Sequence, residues 1–257
     1  MAASDMGEGR REAIKGAMAA SLLALLPEQA GGTVSAGGAG RMASSDQDIF
    51  SRLKDPAGVL DRYAVSEVLM RERLAREIGD FDEEDACFLP DATVEVSWFK
   101  GSAADFVDAG RKAAAAGRRA AVYFDSMSPA VAKVNGDRAI ADASCAVHSF
   151  LPLGGVEAAM TSYTRLLYRV RRVDGEWRIA ALRGIYIRDE LQACNPVQIP
   201  EIDERKLNGF RPSYRHLSYI LEAQGRPLRD DLPGVDRPET AAALRVADRD
   251  WLAGGAG

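Results

Sequence analysis

His148, one of two histidines in the chain, stands on a long alternating run. The two-residue period of a strand puts it on one face with Ser144, Ala146 and Phe150. An imidazole there has two readings: an acid or base near neutral pH pointing into a pocket, or a sheet-face histidine bonded to a neighbour. By the same period Arg183 shares a face with Trp177, Ile179 and Ile185. An arginine among apolar side chains wants an anionic partner, either a carboxylate of the chain or a substrate oxygen. Tyr163 and Arg165 share a face of the preceding strand and carry the same ambiguity. Trp98, Phe99, Tyr123, Phe124, Tyr163 and Tyr186 fall on strands or strand ends. Such a set suits a flat, partly polar organic ligand, such as a phenol or polyketide, and equally a packed core. Lys100, just after Trp98 and Phe99, could stabilise a phenolate or stay in solvent at a pocket mouth. Glu77 follows Arg73 by four residues, the spacing of an exposed helical ion pair.

Composition removes several other chemistries. The chain has 257 residues, 47% hydrophobic and 28% charged, with net charge −5. Those fractions are globular and exclude wholesale disorder. The pI near 5.3 and the lack of a long basic run argue against a nucleic-acid partner. Cys87, Cys145 and Cys194 are an odd number with no CxxC spacing, so neither a disulfide framework nor a zinc knuckle is expected. With no His-rich set and no Gly-rich phosphate loop, no metal and no cofactor is expected.

These side chains need elements to hold them. Apolar positions at Val65, Val68, Leu69, Leu74, Ala75 and Ile78 predict a helix over 61–78, with Asp61 as its cap and Gly79 as its stop. A short helix over 82–89 ends at Pro90, a strand covers 93–98, and a third helix covers 102–116. Strand-like runs follow at 119–124, 130–134, 138–151, 156–173 and 176–188. Asn135-Gly136, Gly154-Gly155 and Asp174-Gly175 join the later runs as hairpin turns. Helices first and antiparallel strands afterwards predict an α+β fold. Beyond 195 an extended linker leads to a helix from Arg211 and a final amphipathic helix over 239–251.

Gly79-Asp80, then Phe88-Leu89-Pro90-Asp91-Ala92, Asn135-Gly136-Asp137-Arg138-Ala139 and Arg172-Val173-Asp174-Gly175-Glu176-Trp177-Arg178-Ile179 form an ordered set. It resembles the SnoaL-like branch of the nuclear-transport-factor-2-like superfamily over 55–192. The resemblance implies a cone-shaped, curved antiparallel sheet wrapped by three helices around a pocket, with 193–257 as a helical C-terminal extension. It also implies a homo-oligomer, dimer or trimer. Family members include isomerases, dehydratases, cyclases, a dehydrochlorinase and pure binding modules, so the fold alone does not choose an activity. Glu77 falls where the dehydratase and the dehydrochlorinase carry a pocket aspartate. A carboxylate there can orient a histidine or act as base. The isomerase's oxyanion tyrosine and proton-shuttling aspartate correspond to Glu72 and Val96, which disfavours steroid isomerisation. Phe124-Asp125-Ser126-Met127 stands where the family commonly has a histidine.

A finer resemblance, to the diarylpropane γ-formaldehyde lyases of lignin-dimer catabolism, rests on six segments: Glu84-Asp85-Ala86-Cys87-Phe88 with Pro90-Asp91, Val96-Ser97-Trp98-Phe99-Lys100-Gly101, Thr161-Ser162-Tyr163, Tyr186-Ile187-Arg188-Asp189, Arg211-Pro212-Ser213-Tyr214 and 230–239. It implies a cofactor-independent lyase that eliminates formaldehyde and water from an aromatic diol to give a stilbene. Glu77, His148, Lys100, Tyr163 and Arg183 supply the acid, base and cation types, with Trp98, Tyr123, Phe124, Tyr186 and Arg73 as substrate contacts. The alternatives are a dehydratase, isomerase or cyclase on a polyketide-like or steroid-like ligand, and a non-catalytic small-molecule binder.

Residues 1–41 stand apart. Arg10-Arg11, Lys15 and an apolar run over 16–26 ended by Pro27 resemble a twin-arginine export signal, with Val34-Ser35-Ala36 as a cleavage site. A run of that length does not span a bilayer as a helix, so no membrane anchor is expected. Export implies a periplasmic enzyme; translation from Met42 would give a cytoplasmic one.

Overall fold

The computed structural model describes residues 56–117 and 122–255. The expected export segment and the first residues of the run at 119–124 lie outside them.

Helix α1 spans Pro56–Ile78, starting earlier than expected because Pro56 fits the first turn, where its missing N–H costs nothing. Val65, Val68, Leu69 and Ala75 bury one stripe, whereas Tyr63, Met70, Leu74 and Ile78 stay exposed. Gly79, at φ 80°, turns the chain out of the helix. Asp80 caps α2 (Phe81–Ala86) by accepting from the Glu83 amide. This helix stops at Cys87, short of the expected end at Leu89, because Phe88 already belongs to strand β1 (Phe88–Val96). Pro90 fits inside that strand because the pairing of β1 with its neighbour shifts register between Phe88 and Thr93. Strand β2 (Phe99–Ser102), not expected from sequence, folds back on β1. Ser102 then caps α3 (Ala103–Ala115).

The remaining strands are β3 (Val122–Met127), β4 (Val131–Asn135), β5 (Arg138–Leu153), β6 (Val156–Val173) and β7 (Glu176–Ala193). The sheet order is β2-β1-β7-β6-β5-β3, with β4 also paired to β5. All pairs are antiparallel except β1 with β7, so the sheet is mixed where a wholly antiparallel one was expected. No hairpin joins those two strands; the entire meander lies between them, which leaves the parallel direction open. The β6–β7 hairpin turns at Asp174 and Gly175, both at positive φ (54° and 84°), the twist a two-residue hairpin needs.

One bulge decides which face of β7 carries which side chain. Val170 pairs with Ile179 and Arg169 with Ala181, leaving Ala180 as an extra residue. Trp177, Ile179 and Leu182 therefore all pack in the core under the helices. Arg183 points to the opposite face, contrary to the strict two-residue period. The Trp177 indole N–H donates to Asp61 of α1 at 3.1 Å.

The C-terminal extension comprises α4 (Glu204–Asn208), a turn at Pro212–Tyr214, α5 (Arg215–Ala223) and α6 (Pro238–Leu252). Ile220 and Leu217 of α5 pack against Leu151 and Met160. Helix α6 covers the sheet face opposite α1: Asp248 accepts from Arg169 at 2.9 Å and from Arg183 at 2.6 Å.

Candidate functional site

The buried stripe of α1 carries charge at its C-terminal end. Glu72 is 0% exposed and takes a two-pronged ion pair from the neighbouring Arg73. One turn on, Arg76 donates to the buried Glu84 of α2 at 2.7 Å and lies 3.8 Å from the centroid of Phe106. Across from these residues runs β3, whose alternation aims Tyr123, Asp125 and Met127 toward the helix. The Asp125 side chain is 1% exposed. Its Oδ2 accepts from the Tyr123 hydroxyl at 3.0 Å and lies 3.6 Å from Arg73 Nη1. Its backbone N–H donates to Glu77 Oε2 at 3.2 Å. Its other oxygen, Oδ1, has no hydrogen-bond partner among the described residues. Buried polar atoms are almost always paired, so an orphan of this kind calls for a partner, be it a water, an ion or a bound group.

Burial shifts the titration of several groups in this cluster, Asp125 among them. Burial holds the Asp125 carboxyl above its ordinary range, against the pull of Arg73 and the Tyr123 hydrogen bond. Burial likewise raises Glu84, countered by Arg76, and raises the Tyr123 and Tyr168 phenols. Tyr168 is fully buried on β6, and its hydroxyl is also unpartnered among the described residues.

Asp125, Arg73 and Glu77 open onto a groove between α1 and the β3–β4 segment, about 1000 Å³ in volume. Its walls are mostly apolar: Val59, Tyr63, Met70, Leu74, Met127 and Val131. Tyr63 is 70% exposed and Val131 68%, and with Met70 and Leu74 they put exposed apolar surface on one groove, the kind of patch that meets ligands or partners. Among the described residues no group of three or more His, Cys, Asp or Glu could hold a metal ion.

Of the ten residues expected at a site, the structure brings Glu77, Arg73 and Tyr123 together here. The others lie elsewhere. His148 faces the opposite side of the sheet, because its β3 neighbour is Phe124 and not Asp125. There it stacks on Phe124 at 4.4 Å and bonds Thr161 and Ser126. Arg183 is turned outward by the Ala180 bulge and spent on Asp248. Lys100 is exposed and pairs with Glu95 across the β1–β2 ladder. Tyr163 is exposed and donates to Glu190 at 2.6 Å. Trp98 stacks on Phe106 beneath the Arg76 guanidinium and is not among the residues that line the groove. Tyr186 accepts from the Ser97 amide at 2.7 Å and packs against Tyr214 and Leu232. Glu72, Asp125, Arg76, Glu84 and Tyr168 were not expected at a site. For Glu72 the signal was present: Val65, Val68 and Leu69 set a buried stripe, and Glu72 continues it.

A model of the SnoaL-like domain matches residues 57–183. Pea pathogenicity protein 2 of Fusarium vanettenii is 26% identical over 198 residues, covering 76% of this chain and 84% of its own length. Among solved structures, a hexachlorocyclohexane dehydrochlorinase from Novosphingobium barchaimii is 14% identical and covers 56% of this chain and 96% of its own, with a TM-score of 0.43. A nuclear-transport-factor-2-like protein with a cystatin-like fold from Novosphingobium aromaticivorans is 23% identical and covers 55% and 90%, with a TM-score of 0.38. Residues 57–183 are a SnoaL-like domain.

Proposed function

We propose that the chain is a cofactor-independent acid–base enzyme that performs an elimination on an apolar, ring-bearing molecule held in the groove between α1 and β3–β4. The observation that carries this reading is Asp125 itself, a residue of the groove lining whose buried Oδ1 has no partner among the described residues. A carboxyl whose pKa burial raises holds its proton to higher pH, which suits it to hand that proton to a leaving oxygen. Tyr123 hydrogen-bonds the other oxygen and fixes the carboxyl plane, and Arg73, itself held by Glu72, stabilises the carboxylate once the proton has gone. Glu77, tied to the Asp125 amide, is the base.

In its finest form the substrate is a diarylpropane-type diol. Glu77 takes the proton of the terminal hydroxyl and formaldehyde departs as the C–C bond breaks. That electron pair forms the stilbene double bond, and the benzylic hydroxyl leaves as water with the Asp125 proton. Mass spectrometry of phenolic dimers incubated with wild type, Asp125→Asn and Glu77→Gln tests this. Each substitution should lower turnover by at least about a hundredfold, the usual scale of one acid or base. Near-wild-type turnover in either variant removes that residue from its role. Since both proton-moving groups belong to the chain, turnover should survive EDTA and exhaustive dialysis.

A further inference from the structure

We propose that copies of this chain associate by seating the loop 195–200 of one in the outer end of the groove of another; the contact does not rest on the reaction argued above. The loop follows β7 and is braced on both sides. Before it, the Cys194 amide donates to the Glu157 carbonyl at 2.9 Å, and after it the Glu201 amide donates to the Gly154 carbonyl at 3.0 Å. Within it, the Gln198 amide donates to the Asn195 carbonyl and the Val197 amide to the Asn195 side chain. Pro200 biases Ile199 toward an extended backbone. On this held backbone Val197 is 85% exposed and Ile199 87%, more than any other large apolar side chain among the described residues. Apolar surface presented in this way is the kind that meets a partner.

The groove offers the matching surface. At its outer end Tyr63 and Val131 stand exposed beside Val59. There the Ala130 amide donates to Ser66, whereas the Asp125 amide donates to Glu77 at the other end. About 16 Å of helix separates Ser66 from Glu77 at the rise of an α-helix, so a loop seated at Tyr63 and Val131 stays clear of Asp125. Charge then names the occupant. Val131 and Lys133 are both exposed on β4, two residues and about 6.6 Å apart on one face. Lys133 has no ion pair among the described residues, and neither does the exposed Glu201. Ile199 and Glu201 repeat the spacing, two residues and about 6 Å apart in extended chain. Laid along β4, the loop puts Ile199 on Val131 and Glu201 on Lys133, apolar on apolar and acid on base. Both halves of the contact sit on one chain, which points to a second copy as the partner. Each copy gives one loop and receives one, either across a two-fold axis or around a ring.

Sedimentation velocity of the full chain tests this in wild type, Ile199→Asp, Lys133→Glu, Glu201→Lys and the double reversal of Lys133→Glu with Glu201→Lys. Wild type should sediment as an oligomer. Ile199→Asp and each single reversal should weaken association at least about tenfold, because a charge against Val131 or two like charges face to face oppose the contact. The double reversal should return to within about threefold of wild type, since the lost pair is remade with its signs exchanged. Circular dichroism should match wild type in every variant, as each substituted side chain is exposed. Three results would overturn the proposal: a monomeric wild type, an oligomer indifferent to Ile199→Asp and Lys133→Glu, or a double reversal as weak as the single ones.

Discussion

Asp125 is where stability and activity pull against each other. Its carboxyl is raised in the fold chiefly by burial, so the folded state favours the protonated form. That contribution is complete below the unfolded value of about 4 and is lost as pH rises through the folded value. Asp125→Asn keeps the shape and removes the titration. Its melting temperature should therefore equal or exceed that of wild type at about pH 8, whereas at about pH 5 the two should converge. A variant that is less stable than wild type at the higher pH would show that Asp125 sits there as a favourable ion-pair partner of Arg73, and would remove the argument for a held proton. Glu77 was singled out in the sequence by its motif position, and Asp125 was not. Asp125 belongs to Phe124-Asp125-Ser126-Met127, the stretch where the resemblance leads one to expect a histidine, and a departure from a pattern does not announce what replaces it. Only the register of β3 on β5, with Phe124 opposite His148 and Asp125 opposite Val147, shows that Asp125 faces the helix and His148 does not.

At the scale of elements, the helices, hairpins and long strands followed from periodicity and turn residues, because each is set by local spacing. The bulge at Ala180 was invisible for the opposite reason: it depends on how β7 registers against β6, and no residue type marks it. Its consequence is large, since it sends Arg183 outward to meet α6. There Asp248 Oδ1 accepts from both Arg169 and Arg183, and burial lowers the Arg183 guanidinium despite that partner. Replacing Asp248 with Ala leaves two largely buried guanidiniums facing each other. Removing one partner of a buried pair costs on the order of 3 kcal/mol, so Asp248→Ala should lower the unfolding free energy from denaturant titration by about that much. Arg245, which pairs with Asp142 at the sheet surface, should matter far less. Comparable losses in Asp248→Ala and Arg245→Ala would mean that α6 is held by its apolar contacts, Trp251 among them, and not by the shared carboxylate.

For the whole molecule, the core that joins α1, α2 and the sheet is continuous, and two of the three cysteines lie in it. Cys87 follows α2 directly, and Cys145 sits in mid-β5 beneath the helices. Burial pushes both thiols up to about 12, so at about pH 8 almost none of either is thiolate, the form that attacks an alkylating reagent. Cys194 lies exposed just past the end of β7. Native protein treated with iodoacetamide should therefore gain one adduct, at Cys194, while denatured protein gains three. The slow labelling of Cys87 and Cys145 would then time the opening of the core. Because they sit on different elements of one cluster, both should react at the same rate and slow together under stabilising conditions. Early labelling of Cys87 alone would mean that α2 lifts off independently. Since Glu84 on α2 anchors Arg76 beside the groove, such lifting would also loosen the floor of the site, and turnover should then track Cys87 reactivity rather than global stability.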